Sequence, residues 1–207
     1  VSVRIKDVSN FRGGADGYYH HVIDDLGAKI YRKAEYGLAQ KEYLITLYAQ
    51  TSGLTVEALA WGTFSIPQGK HKYVSRPGIW MRHIAGQNCR DYARELGWEH
   101  NSNFSKINAE SWGYEAPQFS PILDQIETIG TVLKEMGISC NDHETNFGNF
   151  MIPEGSQKVI AIDFSFEVDN QQLLKTVWPT FYKKLAVTLP EEYIARLAEL
   201  KILDFVL

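Results

Sequence analysis

Cysteine is scarce. Cys89 and Cys140 are the only two in 207 residues, and they lie far apart and outside any C-x-x-C spacing. Neither a disulfide framework nor a zinc module is expected as the basis of the fold, and two free thiols suit a reducing compartment. Positive charge is not in excess either. The 21 Lys and Arg are set against 25 Asp and Glu, for a net charge of -4. A chain whose task is neutralising nucleic-acid phosphates needs a broad basic surface, so no nucleic-acid partner is expected. No apolar run approaches membrane-spanning length, so no membrane partner is expected. No signal peptide is visible from Val1 onward. Internal repeats, low-complexity tracts and long linkers are missing too. What remains is 44% hydrophobic and 22% charged, the makeup of an ordinary globule. Its length suits one domain or two closely packed lobes.

The pattern along the chain predicts a mostly β half followed by a mostly α half, an α+β arrangement. Gly13, Gly14 and Gly17 mark a flexible turn. Residues 18–23 are aromatic and β-branched and predict a strand. Asp24-Asp25 makes a turn, and 28–31 a short return strand. Strong helix formers predict a helix over 35–50, with Leu38, Leu44, Leu47 and Tyr48 as a partial apolar face. Strands are expected at 59–66 and 78–84. The polar stretch 85–108 divides a first lobe, about 1–84, from a second, about 85–207, with a short helix over 90–96. The clearest helix of the second half is 121–136, where Ile122, Ile126, Ile129 and Val132 recur at helical spacing and Gly137 follows as a stop. Strands at 150–152 and 159–162 flank a turn at Pro153-Glu154-Gly155. Helices over 171–178 and 190–200 close the chain.

Several residues could serve phosphoryl transfer from ATP, which needs a phosphate cover, a cation on the phosphates, metal-binding oxygens and a group to orient the acceptor. Glycine has no Cβ, so Gly13, Gly14 and Gly17 would let a hairpin backbone approach phosphates closely. Lys29 sits on the return strand and shares a face with Gly27, under which a flat adenine ring could lie. Lys33 is its rival. Glu42 lies mid-helix and could anchor the lysine, with Glu35 as the competing choice. Asp163 ends the apolar run 159–162, and Asn149 precedes the strand before it. Hard oxygens of this kind suit Mg²⁺. Asp142, in the polar loop after the long helix, could take the acceptor hydroxyl's proton. His20, His21 and His71 read as ordinary surface or strand histidines. His143 draws more attention for its place beside Asp142.

In this order the glycine hairpin, Lys29, Glu42, the 80–86 segment, the 142–149 loop and Asp163-Phe164 resemble the protein-kinase superfamily over roughly the first 165 residues. The resemblance implies a bilobal kinase-like fold, with Met81 and His83 in a hinge that holds adenine through backbone groups. Three features depart from the family. Asn149 follows Asp142 by seven residues where the family has five, which leaves Glu144 at the usual spacing and Asn146 as another amide. Ser165 replaces the expected glycine. The stub after Asp163 leaves no room for an activation segment and the usual helical subdomain. That brevity resembles the minimal kinases secreted by bacterial pathogens through type III systems, the HopBF-type effectors. It implies an ATP- and Mg²⁺-dependent serine/threonine kinase acting in host cytoplasm, with the ninety-kilodalton heat-shock chaperone as partner. A small-molecule kinase of the aminoglycoside or choline type and a catalytically dead binding module are the alternatives.

Overall fold

The computed structural model describes residues 2–5, 11–13, 17–68, 72–98, 117–139, 143, 146–164, 175, 179, 189–200 and 203–206. The fold is mixed α+β, organised around one large and one small sheet. The large sheet contains β1 (Ser2–Ile5), β2 (Phe11–Gly13), β3 (Gly17–Ile23), β4 (Leu26–Tyr31), β5 (Ala58–Pro67), β6 (Tyr73–Arg82) and β10 (Leu203–Val206). Their spatial order is β10-β1-β5-β6-β4-β3-β2. Every pairing is antiparallel except β1 with β5. β4 is buried at all its positions, because both faces of the sheet are covered at its centre. One face carries Val22, Leu26, Ala28, Ile30, Ala60, Phe64 and Trp80; the other carries Tyr31, Ala58 and Ile79.

The helix α1 (Tyr36–Ala49) covers the second of these faces. Ala39 and Tyr43 pack on the sheet, whereas Leu44, Ile45 and Ala49 enter a separate core shared with the second half of the chain. α1 is thus buried on two sides, and a single apolar stripe does not describe it. The expected stripe therefore holds in part: Leu44 is fully buried, but Leu38, Leu47 and Tyr48 are half-buried. The Tyr48 hydroxyl donates to the Met136 carbonyl at 3.2 Å, which fastens α1 to the second half.

The small sheet orders β7 (Gly86–Asn88), β8 (Phe150–Pro153) and β9 (Ile160–Ala161). α2 (Cys89–Glu95) starts at Asn88, whose side chain accepts the Asp91 N–H. This is the capping role for which asparagine is favoured. α3 (Ser120–Glu135) buries Ile122, Ile126, Ile129 and Leu133. Its inner stripe ends on Leu133 rather than the expected Val132, since alternating steps of four and three from Ile122 reach 126, 129 and then 133. The two halves are stitched where the Val56 N–H donates to the Ala161 carbonyl and the Ala161 N–H to that of Leu54.

Two expectations shift. The strand expected over 78–84 is the end of β6, which starts at Tyr73 because β5 supplies a partner along its whole length, and which stops at Arg82. The closing helix is present as α4 (Glu191–Leu200), yet it does not join the helical half. With β10 it returns to the large sheet, where Tyr193 and Leu197 pack beside Phe64 and Trp80. The expected helix over 171–178 lies outside the described residues apart from Lys175, which is helical.

Candidate active site

Lys29 faces the α1 side of β4, in register with Ile79 of β6. Only 8% of it is exposed. Its ammonium donates to Glu42 at 2.8 and 3.1 Å, and to Asp163 Oδ1 at 2.5 Å. Three segments distant in sequence, a sheet centre, a helix middle and a strand end, therefore converge on one cation. The rivals lie elsewhere: Lys33 and Glu35 are exposed, and their side chains pair with each other at 3.7 Å.

Glu42 has a second task. Its Oε1 accepts the backbone N–H of Phe164 at 3.2 Å, so the same carboxylate fixes the lysine and the peptide just after Asp163. Burial pushes the Glu42 carboxyl up to about 7, opposed by Lys29 and assisted by the Asp163 charge. Burial works against the Lys29 ammonium as well, but the Asp163 and Glu42 charges outweigh it and hold that pKa high. One cation serves two carboxylates, and the more deeply buried of the two, Glu42, is the one whose charged form is disfavoured.

Asp163 keeps 38% of its side chain exposed and has φ 61, in the left-handed region. Aspartate tolerates that region better than most residues, at a modest cost. Its neighbour Phe164 is fully buried. The Phe164 ring lies 4.9 Å from that of His143, which also meets Phe150 edge-on at 5.3 Å and donates from Nε2 to the Ile162 carbonyl at 3.0 Å. His143 is thus a packing and tethering group for the segment that ends in Asp163. Asp142 and Glu144, its sequence neighbours, lie outside the described residues, as does Ser165.

Asn149 is 7% exposed and sits in a short 3₁₀ turn. Its carbonyl accepts the Ile162 N–H at 2.8 Å, which places it beside the strand leading to Asp163. Asn146 instead caps the turn, accepting the Gly148 N–H, and its amide reaches Asn149 Oδ1 at 3.4 Å. Asn146 is therefore a positioning group for Asn149. Among the described residues no three His, Cys, Asp or Glu side chains gather as a metal site. One carboxylate and one amide oxygen nevertheless fit Mg²⁺, which takes few protein ligands and completes its shell with water and phosphate.

Gly13 pairs with Tyr18 across the first hairpin, and Gly17 pairs with Tyr31. Gly17 is buried, and a Cβ there would meet the Ile30 carbonyl oxygen at 2.5 Å, so its bareness serves strand packing. Gly14 lies outside the described residues. Met81 lies opposite Gly27 in the β4–β6 pairing. The space over Gly27 is not open, however. A Cβ on Gly27 would lie 2.1 Å from the Tyr19 hydroxyl, whose phenol rests against the bare strand. That hydroxyl is hydrogen-bonded to His83 Nδ1 at 2.7 Å, and His21 stacks on the His83 ring at 3.8 Å. His21 is therefore part of a local aromatic stack rather than an isolated strand histidine. An isolated glycine inside a strand marks close approach by another group; that group here is Tyr19.

A depression of about 390 Å³ lies away from this constellation, lined by Gln87, Tyr92, Ile122 and Ile152 among others. It brings no converging charges, in contrast to the cluster of Lys29, Glu42 and Asp163. No known protein-family profile matches the chain, and no curated protein matches it in sequence.

Proposed function

We propose that the chain is an ATP- and Mg²⁺-dependent phosphotransferase with a minimal bilobal protein-kinase-like fold. The large sheet with α1 is the first lobe; the small sheet with α2 and α3 is the second. The observation that carries this reading is the buried Lys29 held between Glu42 and Asp163. Phosphoryl transfer is largely a matter of placing charge and reactants, and it needs a fixed cation beside a metal-binding carboxylate. Lys29 holds the phosphates, Glu42 fixes the lysine, and Asp163 with Asn149 holds the metal. Bound Mg²⁺ would supply charge neutralisation at the transferring phosphate. Asp142 orients the acceptor hydroxyl. The segment holding Met81 and His83, at the end of β6, receives the adenine, and Tyr19 must share or yield its place over Gly27 when it does.

The acceptor is a serine or threonine hydroxyl of a protein. A secreted bacterial effector phosphorylating the host's ninety-kilodalton heat-shock chaperone is the specific form the resemblance favours. The test incubates the protein with radiolabelled ATP and Mg²⁺, presenting host-cell lysate alongside a panel of amines and sugars. Label is expected on protein, and Lys29→Met or Asp163→Asn should lower it about a hundredfold or more. Label on small molecules alone would replace the protein acceptor by the aminoglycoside or choline class. No label anywhere, with no thermal shift on adding ATP, would reduce the chain to a catalytically dead module.

A further inference from the structure

α4 lies on the face of the large sheet opposite Lys29, where phosphoryl transfer itself calls for no helix. Leu189, Tyr193 and Leu197 anchor it there against Val22, Leu26, Phe64 and Trp80. Its polar side grips one feature, the Asp24-Asp25 turn between β3 and β4. The Tyr193 hydroxyl donates to Asp25 at 2.8 Å and Arg196 donates to the same carboxylate at 3.2 Å. Arg196 also binds the Asp24 carboxylate. On its other side this turn holds the end of β6. The Asp25 carbonyl accepts the His83 N–H at 2.6 Å, and the Asp25 carboxylate accepts from Arg82, which also binds Glu57. The Asp24 carbonyl accepts His21 Nε2 at 2.9 Å, and His21 stacks on His83.

We propose that α4 is an intramolecular clamp for the nucleotide-binding hinge, with Tyr193 and Arg196 as its positioning residues. The turn stands between the helix and the hinge and makes hydrogen bonds to both. Asp24 adopts φ 30, a conformation that neighbouring contacts must maintain. With the clamp closed, the backbone at 82–83 is held in one arrangement before nucleotide arrives, so binding bears less of the ordering cost. The inference rests on the nucleotide reading given above.

The test uses the full chain and a fluorescent ADP analogue with Mg²⁺. A Tyr193→Phe/Arg196→Gln variant removes the polar grip while keeping the apolar anchor. Its dissociation constant should rise about three- to tenfold, the scale of one or two lost hydrogen bonds. Arg196→Lys should recover part of that loss. Circular dichroism at the titration temperature establishes that each variant is folded. If wild type binds and the double variant binds within about twofold of it, the clamp is overturned while the nucleotide reading stands. If wild type does not bind, the nucleotide reading falls and takes the clamp with it.

Discussion

At the scale of single residues, the decisive feature is a charge imbalance. Lys29 answers two carboxylates, and burial raises Glu42 from 4.5 to about 7. Between those values folded Glu42 retains a proton that the unfolded chain has released. Its contribution to stability therefore falls as pH rises through that window. Glu42→Gln removes this dependence while keeping an oxygen for the Phe164 N–H. Between about pH 5 and about pH 8, ligand-free wild type should lose more stability than Glu42→Gln, on the order of 1–3 kcal/mol. Urea unfolding at both pH values measures the difference, and parallel losses would remove the surplus charge from the explanation. A second residue-scale expectation concerns Gly27. Gly27→Ala must push the Tyr19 phenol off its seat and break its bond to His83, costing about 1 kcal/mol. Adding Tyr19→Val should make the alanine nearly neutral in a double-mutant thermal cycle, because the clash has gone. The meeting of Lys29, Glu42 and Asp163 was legible in the sequence, since a strand lysine, a helix glutamate and a carboxylate after an apolar run each sit in recognisable local patterns. Tyr19 was not. Its position follows from the β3–β4 register, which puts it opposite Lys29 and within reach of Gly27.

At the scale of elements, α1 bears the greatest structural burden, because it packs against two cores at once. Leu44 is fully buried in the core shared with the second half, so Leu44→Ala should cost about 2–5 kcal/mol in chemical denaturation. Half-buried Val132, just off the inner stripe of α3, should tolerate alanine far better, at under about 1 kcal/mol. α4 carries a pH prediction of its own. The Tyr193 hydroxyl above all, helped by Arg196 and Arg82 and opposed by burial, holds the Asp25 carboxyl below its usual value. Its stabilising contribution is present above the ordinary carboxylate pKa and is lost as pH falls through the depressed one. Asp25→Asn should thus flatten the acid limb of the melting-temperature profile, and a profile identical to wild type would argue against the grip on the turn. α3 could be read from the sequence because its apolar spacing is local, and α1 because its helix-forming residues are. β1 and β10 could not, since four-residue strands gain meaning only from partners at the other end of the chain.

At the scale of the whole molecule, the succession of a β-rich half and a helical half was correctly visible in composition and periodicity. The return of α4 and β10 to the β-rich half was not. An amphipathic helix reveals which face it buries, but not which of two cores will accept it. The return also has a consequence for how the molecule comes into being. β1 pairs on one side with β5 and on the other with β10, the last strand described. A chain emerging from the ribosome in order can assemble β3 through β6 early, yet one edge of β1 stays open until residues 203–206 have been made. Pairings between such distant residues form slowly, and an unpaired strand edge invites association with other chains. The nascent protein therefore passes through a long interval in which the strand carrying Lys29 can be built while the β1 edge of the sheet depends on residues not yet synthesised.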